Sequence, residues 1–345
     1  MSLTTTQINS LNIALMIGSC ALAFVFPFEL FLVSYAILGP LHYLTEISWL
    51  HDRNYFTEDR PDRRKSRAHR GWLLLVAVAM VALIAGLVAV EGVGARLSPK
   101  WEITFVYAVF VGALLVTVIR DRTRQIVTLV LTGLLLGLLA TSRFYVIAAF
   151  FLVTVIHVLI FTGAFVLYGS LKQKSVSGMV SLLVFVLCVI SFFVFAPAGH
   201  ATGEFVRASY RSFNGLNTEL IKLFRLGPAT TSADVYQSVG GLMIMRLIAF
   251  AYTYHYLNWF SKTSIIKWHE VPKSRTVAIV LVWLGAVAFY AYDYDSGMLL
   301  LYFMSILHVM LEFPLNHRTF VEIGRQLRSL SGWKRANEAL SPMSR

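Results

Sequence analysis

The run from Ile8 to Leu50, INSLNIALMIGSCALAFVFPFELFLVSYAILGPLHYLTEISWL, contains two acidic residues, Glu29 and Glu46, and no lysine or arginine. A helix crosses the roughly 30 Å hydrocarbon layer in about 20 residues, so a run of some forty is too long for one span. Pro27, followed by Glu29, divides it into spans at about 8 to 26 and 29 to 50. The first ten residues, MSLTTTQINS, have no basic stretch and the first run has no convincing cleavage site, so it reads as a retained span.

The rest of the chain follows the same pattern. Of 345 residues, 57% are hydrophobic and 14% charged, with a mean hydropathy of +0.68, outside the range of soluble domains. Further apolar runs lie at about 71 to 90, 102 to 119, 125 to 141, 146 to 169, 179 to 199, 240 to 260, 276 to 292 and 297 to 316. The expectation is an all-α polytopic bundle of about ten transmembrane helices, one domain over 1–345, surrounded by membrane lipid. Segments following even-numbered spans hold 22 Lys or Arg, against 7 on the other side, which puts both termini in the cytoplasm. The expected location is the inner (plasma) membrane of a bacterium.

The net charge of +12 lies in short loops, as topology signals do, and no basic stripe with interleaved aromatics points to nucleic acid. Cys20 and Cys188 sit inside apolar runs, which argues against a disulfide framework. On the outer side, residues 200–239 carry Phe205, Tyr210, Phe213, Leu216, Leu220, Ile221 and Phe224, the pattern of an amphipathic piece lying on the membrane, where it could act as a lid. The tail 317–345 mixes Arg325, Arg328, Lys334 and Arg335 with Ile323, Leu327, Leu330 and Trp333, as a helix against anionic lipid would.

Chemistry is concentrated where ionisable groups interrupt apolar helices. HYLTEISWLH (42–51) and HVMLEFPLNH (308–317) share one spacing, with Glu46 one turn after His42 and Glu312 one turn after His308. Each helix would present an imidazole and a carboxylate to the same neighbour. His157, in VIHVLIF, and His255, in AYTYHYLNWF, add two more intramembrane histidines at compatible depth. A charge in hydrocarbon costs about 2.5–3.5 kcal/mol on insertion scales, so such residues mark functional sites. His42, His157, His255 and His308 are the candidate metal ligands, suited to iron, copper or zinc. For each histidine alone, a hydrogen bond to a neighbouring helix is the bland alternative. Glu46 and Glu312 are ligands, groups that fix a histidine tautomer, or proton carriers in catalysis, and spacing does not separate these roles.

Tyr252, Tyr254 and Trp259 are the candidate substrate-pocket residues; Tyr252 and Trp259 share the face of His255, while an interfacial aromatic belt is the alternative for Tyr256 and Trp259. Arg246 reads as snorkelling or paired, and His51 and His317 as boundary residues at the cytoplasmic rim. His69, His200, His269 and Glu270 read as surface residues, and Asp293 and Asp295 as an outer turn. There is no phosphate loop, HExxH, GxSxG or CxxCH, and the clustered HxxHH boxes of membrane desaturases are missing.

Four segments resemble the Brp/Blh family of membrane β-carotene-cleaving dioxygenases. They are Gly39-Pro40-Leu41-His42 with Glu46, Val155-Ile156-His157, Tyr254-His255-Tyr256, and Leu307-His308 with Glu312-Phe313. Glu46 stands where that family has an aspartate, Tyr43 where it has a glycine, and Trp259 where it tends to carry another histidine. The resemblance implies ferrous iron held by histidines and dioxygen chemistry on a buried polyene or other lipid. The expected function is thus a non-haem iron oxygenase acting on a hydrophobic substrate, with zinc, copper or haem as other possible cofactors. A proton- or metal-ion-coupled transporter and a bis-histidine haem electron carrier are the rival readings.

Overall fold

The computed structural model describes residues 4–53, 63–92, 99–119, 121–139, 152–196, 201–262, 267 and 270–340. Every regular element among them is helical. Helix α1 (Thr5–Val25) starts at a capping box between Thr4 and Gln7. Pro27 then opens α2 (Pro27–Val33) at a position where its missing N–H costs nothing. A π turn, Ser34–Leu38, leads directly into α3 (Gly39–Asp52). The wide turn has a local cause. Pro40 cannot donate to the Ala36 carbonyl, and the Gly39 N–H reaches back five residues to Ser34. Neighbours pin the distortion: the Trp283 indole donates to the Ile37 carbonyl at 2.8 Å, and the Ser34 and Thr253 hydroxyls are 2.7 Å apart.

Helices α4 (Arg63–Gly92), α5 (Pro99–Thr117) and α6 (Arg122–Leu139) follow. A second, longer π segment, Leu152–Phe161, continues into α7 (Thr162–Gln173). Lys174, in the left-handed conformation, ends α7, and Ser175 caps α8 (Val176–Val194). At this hairpin a Cβ on Gly178 would overlap the Ser170 side chain, so only glycine permits the close approach of α7 and α8. The outer segment forms α9 (Glu204–Tyr210), a 3₁₀ turn (Arg211–Phe213), α10 (Asn214–Leu223) and α11 (Ser232–Gln237). The chain closes with α12 (Val239–Ser261), α13 (Lys273–Tyr292) and the long α14 (Tyr294–Leu340), which contains Pro314.

Two helices organise the bundle. Helix α12 is enclosed by α1, α2, α8, the second π segment and the outer helices, while α14 packs against α3, α5, α7 and α13. Helix α3 and the second π segment each touch both. One apolar core surrounds α12, and a second joins Leu50, Trp72, Val76 and Val109 to Val309, Met310 and Phe313 of α14. Large apolar side chains such as Ile17, Leu74, Val81, Leu187 and Leu281 face outward, as lipid contact requires.

Among the described residues, seven stretches are long and apolar enough to cross a membrane, fewer than the ten expected: Thr5–Val25, Pro27–Asp52, Ala68–Gly86, Thr154–Gln173, Val176–Val194, Lys273–Tyr292 and Tyr294–Leu330. The other three expected spans are helical but differ in kind. In α5 the apolar helix among the described residues is Thr104–Thr117. Helix α6 opens on Arg122, Arg124 and Gln125, which leaves an apolar remainder under about 17 residues. Helix α12 carries Arg246, His255 and Asn258 because protein, not lipid, surrounds most of it.

The outer segment also departs from expectation. Tyr210, Leu220 and Ile221 are buried in the α12 core instead of facing lipid, whereas Phe205 and Phe224 are exposed. With Phe28, Phe31, Tyr35, Phe213 and Tyr236, Tyr210 forms an aromatic plug at the end of the bundle where α9 to α11 lie. Hydrogen bonds lock it down. The Tyr294 hydroxyl donates to the Ser209 carbonyl at 2.7 Å, and Arg211 pairs with Asp295 at 2.5 Å. Asp234 accepts the backbone N–H groups of Thr230 and Thr231, which hold its carboxyl below the usual aspartate range. His69, expected at the surface, is buried; His200 and His269 lie outside the described residues.

Phe31 is fully buried and meets Tyr35, Tyr210, Phe213 and Tyr252. Phe31→Ala should destabilise the protein by about 3–5 kcal/mol, seen as a lowered Tm in detergent. Phe205→Ala, at an exposed position, should change stability by less than about 0.5 kcal/mol.

Candidate metal centre

The four intramembrane histidines meet. His42 comes from α3, His157 from the second π segment, His255 from α12 and His308 from α14, and all four are buried. Their rings form a closed quadrilateral: His42–His255 at 4.7 Å between centroids, His255–His157 at 5.0 Å, His157–His308 at 5.0 Å and His308–His42 at 5.2 Å. Each side of the figure is a contact between one of the two organising helices and one of the two elements that bridge them.

The ring nitrogens face inward. Nε2 of His255 is 3.1 Å from Nε2 of His42, and Nε2 of His157 is 3.2 Å from Nε2 of His308. Glu46 Oε2 lies 3.1 Å from His42 Nε2, and Glu312 Oε2 lies 3.2 Å from His157 Nδ1. Glu312 is also placed beside Glu46 and Asn316. The pairing His42–Glu46 along one helix is as the spacing predicts. On α14, His308 and Glu312 both face His157, an imidazole and a carboxylate turned to the same neighbour.

Outward-facing nitrogens are held by the surrounding helices. His308 Nδ1 is 2.6 Å from the Ser305 carbonyl, and His255 Nδ1 is 2.8 Å from the Thr162 hydroxyl. A carbonyl only accepts, so His308 carries its proton on Nδ1 and presents an Nε2 lone pair to the centre. His157 then has two choices. A proton on Nδ1 sets two Nε2 lone pairs against each other; a proton on Nε2 turns a lone pair toward Glu312. The Glu312 Oε2 and His157 Nδ1 atoms are close but not aligned as a hydrogen bond, and both remain without a hydrogen-bond partner. The same holds for Glu46 Oε2, while His42 Nε2 faces two electron-rich atoms with one proton at most. With both glutamates ionised, every choice of tautomers leaves inward-facing lone pairs opposed, an arrangement that a cation among them would relieve.

The spacing fits such a cation. With metal–nitrogen bonds of about 2.0–2.1 Å, two nitrogens on one ion stand roughly 3.0 Å apart at right angles and roughly 3.4 Å apart at the tetrahedral angle. The observed 3.1 and 3.2 Å fall between. Two donor groups, His42–His255–His308 and His157–His308–Glu312, each have their ligand atoms within 4.8 Å of one another and share His308. Buried His and Glu side chains that could hold a metal ion are thus present, and imidazole with carboxylate suits several first-row metals.

The aromatic residues divide. Trp259 stands beside His42, with 5.7 Å between rings, and its indole donates to the Thr45 hydroxyl at 3.0 Å. Tyr252 lies a turn further out, between Tyr256 and the plug residues Phe31 and Tyr35. Tyr254 points to the opposite side of α12, toward Asn12 and the ring of Phe185. Tyr43 stacks on His308 at 4.3 Å, and its hydroxyl is 2.7 Å from that of Tyr256. Arg246 donates to the Phe195 carbonyl at 3.1 Å and lies over the Phe24 ring. His51 is exposed, while His317 is buried with Nε2 2.9 Å from the Phe110 carbonyl; neither joins the cluster.

Thr162, Thr45, Tyr43 and Lys262 were not legible as site residues. Thr162 reaches His255 only because the π segment sets the start of α7, and nothing in a threonine within FTGAF announces that. Lys262, one residue past α12, acts electrostatically on both Glu46 and Glu312; its position seven residues after His255 was the available hint. No family model, curated protein or solved structure matches the chain.

Thr162→Val keeps the shape of residue 162 and removes the group that orients His255. Metal affinity should fall by about 10–100-fold, measured by competition with a chelator of known affinity. An unchanged affinity would mean that His255 is not a ligand.

Proposed function

We propose that this protein is an integral-membrane, iron-dependent oxygenase that oxidises a hydrophobic, carotenoid-like or lipid substrate reaching it from the bilayer. The observation that carries the reading is a ring of four buried imidazoles, paired Nε2 to Nε2 and forming with Glu312 two three-donor groups that share His308, inside a bundle whose outer surface is apolar. A bound ferrous iron would supply dioxygen activation to such a site. The protein supplies the rest. His42, His157, His255 and His308 hold the ion, and Glu46, beside the inward nitrogen of His42, completes its ligands or accepts a proton there. Glu312, behind His157, keeps that ring turned inward. Tyr43, Tyr256 and Trp259 exclude water and offer flat apolar surface to a conjugated chain. The excess of lysine and arginine in segments on one side supports a cytoplasmic position for both termini.

The rival readings are supported less well. A haem needs an open slot between two axial imidazoles, whereas here each ring is flanked by two more imidazoles and His308 is covered by Tyr43. A transporter needs access from both sides, and the aromatic plug closes the outer end.

Iron-loaded protein in lipid nanodiscs, given a long polyene, should consume oxygen in proportion to the polyene lost. Trp259→Ala should raise KM for the polyene more than it lowers kcat. Loss of substrate at an equal rate without oxygen, or with the metal stripped, would rule the oxygenase out.

A further inference from the structure

A cavity of about 200 Å³ opens at the end of the bundle where α1 begins and α7 and α12 end. Its lining is polar for a membrane protein: Asn9, Asn12, Ser170, Asn258 and Lys262 contribute to it, and Gly169 leaves it unobstructed, since a Cβ built there meets nothing within 4 Å. Asn258 is buried, and its side-chain oxygen has no hydrogen-bond partner. That oxygen needs a donor, which water supplies.

Two helix faces lead from the cavity toward the metal centre. On α12, Asn258 and Lys262 follow His255 at three and seven residues, the spacing of one face. On α7, Gly169 and Ser170 lie on the face that begins at Thr162, the partner of His255. Lys262 bridges the two regions. It lies near the Phe165 ring at the cavity wall and acts electrostatically on Glu46 and Glu312 at the centre. A second cavity, of about 120 Å³, reaches Thr45 and Trp49, but there Trp259 closes the path to His42 by its bond to Thr45 and its edge contact with Trp49.

We propose that the α1–α7–α12 cavity is the aqueous route by which a hydrated divalent cation reaches the four histidines, and that the Lys262 ammonium balances the two carboxylates until the ion arrives. The inference rests on the metal reading above. Hydrated cations do not cross hydrocarbon, and the bundle is apolar on its flanks and plugged at its outer end, so the ion needs a polar way in. Asn258, Asn12 and the serine hydroxyls offer oxygens that replace water along it. The long stem of Lys262 lets its charge swing aside as the ion displaces it.

The test uses full-length protein with Cys20→Ser and Cys188→Ser, carrying either Gly169→Cys or, on the exposed apolar face of α8, Leu187→Cys. A trimethylammonium thiosulfonate should modify residue 169 readily and residue 187 poorly. The adduct at 169, formed after folding, should slow uptake of zinc ions into the metal-free protein by at least about tenfold, because the remaining routes cross hydrocarbon. Zinc content at equilibrium should stay that of the unmodified protein, and a reductant that removes the adduct should restore the rate. Failure to label residue 169, or labelling without any slowing, would overturn the route while leaving the metal centre standing. If the unmodified protein takes up no zinc, iron or copper at all, the metal reading falls, and the route falls with it.

Discussion

Four buried imidazoles and two carboxylates crowd together inside an apolar bundle, in two groups of donors that share His308, and the packing of four helical elements holds them there. Such a cluster is unfavourable on its own. Electron-rich atoms 3.1–3.2 Å apart repel unless a proton or a cation lies between them, and with ionised glutamates the ring protons alone do not fill every gap. A charge or an orphaned polar group in hydrocarbon costs about 2.5–3.5 kcal/mol, and here several are gathered. A divalent ion reverses the sign, since two carboxylates balance its charge and neutral imidazoles satisfy its coordination.

The scaffold holds that geometry from behind. Helix α12 and helix α14 each contribute one histidine, and α3 and the second π segment complete the figure by touching both. Each π distortion lies just before or around a ligand: Ser34–Leu38 precedes His42, and Leu152–Phe161 contains His157. Widened turns change the direction in which later side chains leave the helix, which is how elements at different tilts aim at one point. Ser305 and Thr162 then fix the rings of His308 and His255, and the aromatic plug closes the end of the bundle near α9 to α11. Stability and site geometry are served by the same contacts, because the helices that meet at the histidines also carry the larger apolar core.

Much of this was legible in the sequence, and the failures have physical causes. The histidines stood out because ionisable residues are rare in apolar runs, and their common depth followed from counting residues along each span. The shared face of His308 and Glu312 was legible from their spacing; that the neighbour would be His157 was not, because a helix face borders more than one element. No proline or glycine marks the π segment around His157, so a regular period of 3.6 was assumed across it. Apolar residues of the outer segment were assigned to lipid because an amphipathic helix looks alike whether it rests on a bilayer or on a protein core; Tyr210 and Leu220 do the latter. Helix α12 was counted as one more span on hydrophobicity alone, although its arginine, asparagine and histidine suit a helix enclosed by others.

The reading reduces to whether one ion sits among His42, His157, His255 and His308. Elemental analysis of the purified protein, set beside the same measurement on a His42→Ala, His308→Ala double variant that keeps its helical content, tests this most directly. The account expects about one transition-metal ion per chain in the parent protein and almost none in the variant. A parent protein free of bound metal, or a double variant that retains its full complement, would contradict it.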